Sequence, residues 1–140
     1  MKIEQTEGSF FCNTIGIINS KLIDLKDCPL QESENAPEAY LEIHHQYIEG
    51  VKNISAGSRV VIVTWLHLAN RDVLSTHRRN EIDTPEVGVF STRSPDRPNP
   101  IGLHTVTIVE IISENHFKIF PIEVINNTPV IDIKPVLDRN

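Results

Sequence analysis

The sequence has few of the residues on which disulfide scaffolds and metal centres depend. Its two cysteines, Cys12 and Cys28, are too few for a disulfide framework or a cysteine-rich metal site. A disulfide between them is one alternative, and reduced thiols in a cytosolic protein are our expectation. The neighbouring His44 and His45 would point to opposite faces of a strand. HExxH is also absent, so we expect no metal.

Long apolar runs and the common nucleotide-binding motifs are missing as well. No apolar run approaches the length of a bilayer-crossing helix. The first residues, MKIEQTEGSFF, lack the basic region and apolar core of a secretion signal. We therefore expect a cytoplasmic protein that makes no contact with membranes. Without GxGxxG after a strand or GxxxxGK[ST], a Rossmann-type enzyme and a phosphate-loop enzyme are disfavoured.

The charge is acidic overall but basic in one region. Thirteen basic and 19 acidic residues give a net charge of −6, which opposes broad binding to nucleic acid. Much of the basic charge falls between positions 71 and 97, at Arg71, His77, Arg78, Arg79, Arg93 and Arg97. This distribution favours a selective contact with one anionic ligand or RNA site.

Short β-branched segments and frequent turns predict a mostly β protein. No segment has convincing helical periodicity. The predicted strands are 10–18, 40–47, 59–68, 87–92, 104–112, 117–125 and 130–133, with loops at 24–37 and 70–85. Residues 113–116 are typical of a hairpin connection. We expect a single compact β-barrel-like domain over 1–140, with short helical or loop insertions and no C-terminal extension.

The strand predicted over 59–68 is apolar on both faces. A barrel of this size needs only one of these faces for its core. The other face, assigned to Val60, Ile62, Leu66 and Leu68, would be exposed on a monomer. We therefore expect a homodimer.

The segment from Gly88 to Leu103, GVFSTRSPDRPNPIGL, is the most informative part of the chain. Its three prolines each fix φ and restrict the preceding residue to extended geometry. The segment should be a stiff loop that presents Arg93, Arg97 and Asn99 to a polar, anionic or heteroaromatic ligand. The alternative is a proline-rich surface turn with solvated arginines.

Two phrases of the sequence are TRSPDRPNPIGL at 92–103 and NNTPVIDIKP at 126–135. They resemble those of the TsaA-like family, also called the TrmO family, and the similarity runs from about Ile15 to Leu137. The resemblance implies a small β-barrel that dimerises. It also implies an S-adenosylmethionine-dependent methyltransferase acting on threonylcarbamoyl-adenosine beside the anticodon of certain tRNAs.

The resemblance also implies which residues bind the cofactor. Matching position by position, these are Pro29, Leu30, Gln31, His67, Leu68, Arg93, Leu103, Glu123, Val124, Ile125 and Asn126. For His67 the alternative is a histidine satisfied within the core. For Leu103 the alternative is simple core packing.

Substrate contacts are expected from Arg78, Arg79, Arg97, Asn99, Asp132 and Lys134. Asp132 and Lys134, in the DIKP phrase, should project to the same face of a strand. They could form an ion pair that anchors this strand. Alternatively, Lys134 could meet the acidic threonyl group or a tRNA phosphate, and Asp132 could orient an arginine of the proline loop.

The chain departs from the family pattern at four positions. Asn126 and Asn127 replace the usual Asp-Gly, His104 replaces serine or threonine, and Val136 replaces tyrosine. Asn127 can still adopt a positive φ, so the turn should survive. These departures affect the predicted substrate more than the cofactor. The alternative functions are methylation of another RNA or a small molecule, and a non-catalytic S-adenosylmethionine-binding module that regulates a partner.

Overall fold

The computed structural model describes residues 8–22, 38–78 and 83–137. Its strands are β1 (Gly16–Asn19), β2 (Ala39–Ile43), β3 (Arg59–Trp65), β4 (Ser75–Thr76), β5 (Val87–Gly88), β6 (Ile101–Ser113), β7 (His116–Phe120) and β8 (Thr128–Pro135). Among the described residues, 3-10 helices cover His45–Val51 and Val89–Ser91. Several predictions concern residues outside the described ranges: Cys28, Pro29, Leu30, Gln31, Arg79 and the loop predicted at 24–37.

Six strands close into an antiparallel barrel in the order β1-β2-β7-β6-β3-β8. β4 and β5 form a separate two-stranded sheet. Closure pairs both edges of every barrel strand, which leaves no open sheet edge in the barrel. The predicted mostly β, barrel-like fold is therefore confirmed. Among the described helices, none is long and apolar enough to cross a bilayer.

The core follows from the alternation of side chains along the strands. On β2, Leu41 and Ile43 point inward, and Phe117 and Ile119 do so on the neighbouring β7. On β6, buried residues alternate with exposed or half-buried ones from Ile101 to Ile108. The core therefore consists of one face of each strand, and the other face is turned toward solvent.

The assignment of an exposed apolar face to Val60 and Ile62 is wrong. Both side chains point into the barrel, with 4% and 0% exposure respectively. Because β3 is apolar on both faces, the sequence does not distinguish its inner face from its outer face. Leu66 packs partly against the core, and Leu68 is exposed beyond the end of the strand.

Several predicted strands have different ends in the structure. The first strand covers only Gly16–Asn19, and the segment predicted over 40–47 divides into β2 and the 3-10 helix His45–Val51. β7 ends at Phe120, because Pro121 has no N–H to continue the ladder. The hairpin between β6 and β7 is confirmed, with Glu114 and Asn115 between the two strands.

Candidate functional site

A cavity of about 840 Å³ lies where β3 ends, β6 begins and the chain enters β8. It is lined by Thr76, by segments 66–69, 92–97, 101–104 and 123–125, and by Phe90 and Thr128. The β3–β6 register, in which Trp65 pairs with Ile101 and Val63 with Leu103, brings the first two strand ends together. The barrel thus collects at one place segments that are far apart in the sequence.

Arg97 stabilises the proline-rich loop by hydrogen bonds to two backbone carbonyls of the same segment. The Nη2 of Arg97 donates to the carbonyl of Val89 and, at 2.7 Å, to the carbonyl of Thr92. The hydroxyl of Thr92 donates to the same Val89 carbonyl at 2.8 Å, and Val89 is itself buried. A guanidinium can bridge two carbonyls because its donors form a rigid planar fork. This residue, predicted to contact substrate, therefore also has an internal role in holding the loop.

A second set of contacts ties the loop to segment 70–71. The Asp96 carboxylate accepts from the backbone N–H of Asn70 at 2.9 Å. Arg71 donates from Nε to the Pro98 carbonyl at 2.8 Å and from Nη2 to Asn99 Oδ1 at 3.2 Å, and it lies 5.0 Å from the Trp65 ring centre. Asn99, which the sequence assigned to substrate, is thus engaged by Arg71 and does not line the cavity.

Arg93, His67 and Leu103 are exposed side chains of the cavity wall. Arg93 and His67 have no side-chain hydrogen bond or ion pair with the described residues. The core-histidine alternative for His67 is therefore wrong. The core-packing alternative for Leu103 is also wrong, because this side chain is 52% exposed on the outer face of β6.

The inner wall of the cavity contains a residue that the sequence did not assign to the site. His104 is buried, and its Nε2 lies 2.8 Å from the Oγ1 of the buried Thr64. A Cβ on the neighbouring Gly102 would lie 2.5 Å from Thr64 Oγ1 and 2.7 Å from His104 Nε2, so only glycine fits there. The sequence did mark this position, because histidine stands here in place of the serine or threonine of the family pattern.

The turn before β8 supplies the opposite wall. Glu123, Val124 and Ile125 line the cavity, as expected from their assignment to the same site. Asn126 does not: its Oδ1 accepts from the Ser20 N–H at 2.9 Å, away from the cavity lining. Asn127 has φ 70°, which confirms that asparagine maintains the turn in place of glycine.

Asp132 and Lys134 lie apart from the cavity and form the ion pair that was one of the alternatives. The distance from Lys134 Nζ to Asp132 Oδ2 is 2.9 Å. The other Asp132 oxygen accepts from the Ile133 N–H at 2.9 Å. Arg78 is exposed and is not part of the cavity lining. Within the described ranges, no group of three or more histidine, cysteine or acidic residues could hold a metal ion.

Comparison with known proteins places these features in a family. Residues 17–139 match the tRNA-methyltransferase O N-terminal domain. The chain is 39% identical to a probable S-adenosyl-L-methionine-binding protein of Methanocaldococcus jannaschii, with 72% of this chain and 82% of that protein covered. It is 36% identical to an S-adenosyl-L-methionine-binding protein of Archaeoglobus fulgidus, with 86% and 84% covered.

A solved structure of TrmO from Pseudomonas aeruginosa has the same fold. It superimposes with a TM-score of 0.73 at 26% identity and covers 96% of this chain. The chain spans 57% of the length of that TrmO chain. The sequence resemblance is therefore confirmed, and the chain belongs to the TrmO family through its tRNA-methyltransferase O N-terminal domain.

Proposed function

We propose that the protein is an S-adenosylmethionine-dependent methyltransferase whose acceptor is threonylcarbamoyl-adenosine beside the anticodon of tRNA. Family membership and the names of the relatives support this assignment. One structural observation carries it: residues assigned to the cofactor by their motif positions line a single cavity. These residues are His67, Leu68, Arg93, Leu103, Glu123, Val124 and Ile125.

The chemistry of the cavity wall fits S-adenosylmethionine. Arg93 offers a planar cation for the methionyl carboxylate, with no competing side-chain partner among the described residues. Leu66, Val124 and Ile125 supply apolar surface for the adenine. The Glu123 carboxyl group is the acidic counterpart that favours a positive sulfonium nearby. The cavity volume lies within the usual range for small-molecule sites.

The contribution of the protein is to bind and orient the two reactants. When bound, S-adenosylmethionine supplies a methyl group that is already activated by the positive sulfur. The clamped loop holds Arg93 in place before the ligand arrives, which reduces the entropy lost on binding. The carbamoyl substituent makes the N6 proton of the acceptor more acidic, so the demand on a protein base is small.

A homodimer is part of the same proposal. Val109, Ile111 and Ile112 on β6 are apolar side chains outside the cavity lining, each more than 40% accessible. Apolar side chains concentrated on one strand provide a surface for a second copy. Two copies would also bring two modest basic regions to one RNA, which helps an acidic protein to bind it. A cytoplasmic location follows from tRNA as the acceptor.

Transfer of labelled methyl groups tests this function. The protein is incubated with methyl-labelled S-adenosylmethionine and bulk tRNA, and the label is expected in the tRNA. Arg93→Ala should abolish most of the transfer. Arg59→Ala removes an exposed arginine at the far end of β3 and should leave it unchanged. Label found only in another RNA or in a small molecule would favour the first alternative. Cofactor binding without any transfer in a total cell extract would favour the regulatory module.

A further inference from the structure

Phe90 is an exposed aromatic ring at the rim of the cavity. It lines the cavity, yet 80% of its surface is accessible to solvent. Arg93, a positively charged residue of the cavity wall, follows Phe90 by three positions in the sequence. Single exposed apolar side chains are common on protein surfaces. Phe90 differs from these because it lines a cavity whose wall also contains an arginine.

The turn that carries Phe90 is rigid. Val89 is buried, and its N–H donates to the Leu74 carbonyl at 3.0 Å. The carbonyl of Val89 accepts from Arg97 and from both the N–H and the hydroxyl of Thr92. Val89 and Thr92, which flank the turn, are therefore held by hydrogen bonds, and the ring is presented from a constrained backbone. A preorganised aromatic loses little entropy when a ligand stacks on it.

An exposed aromatic ring and an arginine that line one cavity match the chemistry of a nucleotide. Unstacked bases bind proteins by stacking on phenylalanine, tyrosine or tryptophan, and nearby cations meet the phosphate or another anionic group. Enzymes that modify a base bring it out of its stack, so the protein must replace the stacking that is lost. Phe90 can supply this surface.

We propose that Phe90 stacks on the adenine of the acceptor nucleotide and positions it for methylation. This assignment rests on the proposed function. Two adenines are available, one in the cofactor and one in the RNA, and the location of Phe90 distinguishes them. The inner wall is made of buried residues such as His104, Val124 and Thr128, where a small molecule can enter. Phe90 lies at the accessible rim, where a base delivered by a macromolecule arrives first.

The test compares Phe90→Leu and Phe90→Trp with the wild-type protein. Phe90→Leu retains apolar surface but loses the ring, and it should raise the KM for tRNA roughly 5- to 150-fold. The KM for S-adenosylmethionine and the calorimetric Kd for S-adenosylhomocysteine should not change. Phe90→Trp should restore the KM for tRNA, because tryptophan also stacks. Phe11→Leu, which removes an even more exposed ring outside the cavity lining, is the matched control and should behave as wild type.

Any other result would overturn either the role of Phe90 alone or the role of Phe90 together with the proposed substrate. An unchanged KM for tRNA in Phe90→Leu would overturn the role of Phe90 and leave the proposed function standing. Weaker binding of S-adenosylhomocysteine with normal tRNA binding would assign the ring to the cofactor adenine and overturn the acceptor assignment. A wild-type protein that binds S-adenosylhomocysteine but neither binds nor methylates tRNA would overturn the proposed substrate and the role of Phe90 together.

Discussion

At the residue scale, two arginines of the same loop differ in what their guanidinium groups contact. Arg97 donates to the backbone carbonyls of Val89 and Thr92, so its charge and its planar fork hold the loop. Arg93 is exposed in the cavity wall and makes no such bond within the described part of the chain. The first arginine determines where the loop lies, and the second is available to a ligand.

Replacing Arg93 with alanine should affect binding without affecting folding. Loss of a charge-assisted bond to the cofactor carboxylate should weaken the binding of S-adenosylhomocysteine by about 1.5–3 kcal/mol, measured by calorimetry. Truncation of a solvated side chain should change the free energy of unfolding by less than about 0.5 kcal/mol. Arg93→Lys should recover only part of the affinity, because lysine lacks the planar fork. Normal binding together with a much lower melting temperature would show that Arg93 is structural.

Replacing Arg97 with alanine should lower the stability of the folded protein. The Thr92 carbonyl loses its bond from Arg97, whereas the Val89 carbonyl keeps the N–H and the hydroxyl of Thr92 as donors. Loss of hydrogen bonds from a charged group should lower the free energy of unfolding by about 1.5–3 kcal/mol. Urea denaturation followed by the fluorescence of Trp65 measures this loss. If Arg97→Ala is as stable as Arg93→Ala, the bonds from Arg97 do not hold the loop.

At the scale of the structural elements, the start of β6 forms the inner wall of the cavity by close contact with β3. Gly102 pairs with Thr64, and His104 bonds to the same threonine. There is no room for a Cβ between them. The close approach of the two strands therefore depends on glycine at this position.

Gly102→Ala should destabilise the barrel by about 1–3 kcal/mol, because the added methyl group overpacks the buried pair of Thr64 and His104. Urea denaturation measures the change. Gly88→Ala is the matched control, because Gly88 has φ −62° and nothing lies within 4 Å of an added Cβ. The stability of this variant should stay near that of the wild-type protein. Equal stability of the two variants would mean that the wall has room to adjust.

The sequence predicts which segments form barrel strands better than it predicts where those strands begin and end. The alternation of apolar and polar residues, together with β-branched residues, was sufficient to locate β3, β6 and the hairpin to β7. The 3-10 helix His45–Val51 was missed, since such short helices have too few turns to show a periodic apolar pattern. The inner face of β3 was also misassigned, because Val60 and Val61 are equally apolar and only the register decides between them.

The candidate site was predictable only where a motif marked it. Arg93, Glu123 and the residues around them were located through the two family phrases, and the structure places them in one cavity. Phe90 and His104 were not assigned to the site, because their importance comes from where the barrel puts them. The internal bonds of Arg97 depend on the folded path of the loop, which no pattern of residue types specifies.

At the scale of the whole molecule, the exposed apolar side chains of β6 predict self-association. Light scattering at micromolar concentration should give about twice the chain mass of 15.8 kDa. The surface differs from the one that the sequence indicated, since Val60 and Ile62 are inside the barrel. A monomer with full activity at that concentration would rule out the dimer as the working form.

We propose that the cavity supports methyl transfer from S-adenosylmethionine to a modified adenosine of tRNA. Mass spectrometry of nucleosides tests it most directly, after tRNA containing threonylcarbamoyl-adenosine has been treated with the protein and cofactor. We expect this nucleoside to gain one methyl group on N6 with the wild-type protein and to keep its original mass with Arg93→Ala. An unchanged nucleoside after treatment with wild-type protein that binds the cofactor would contradict it.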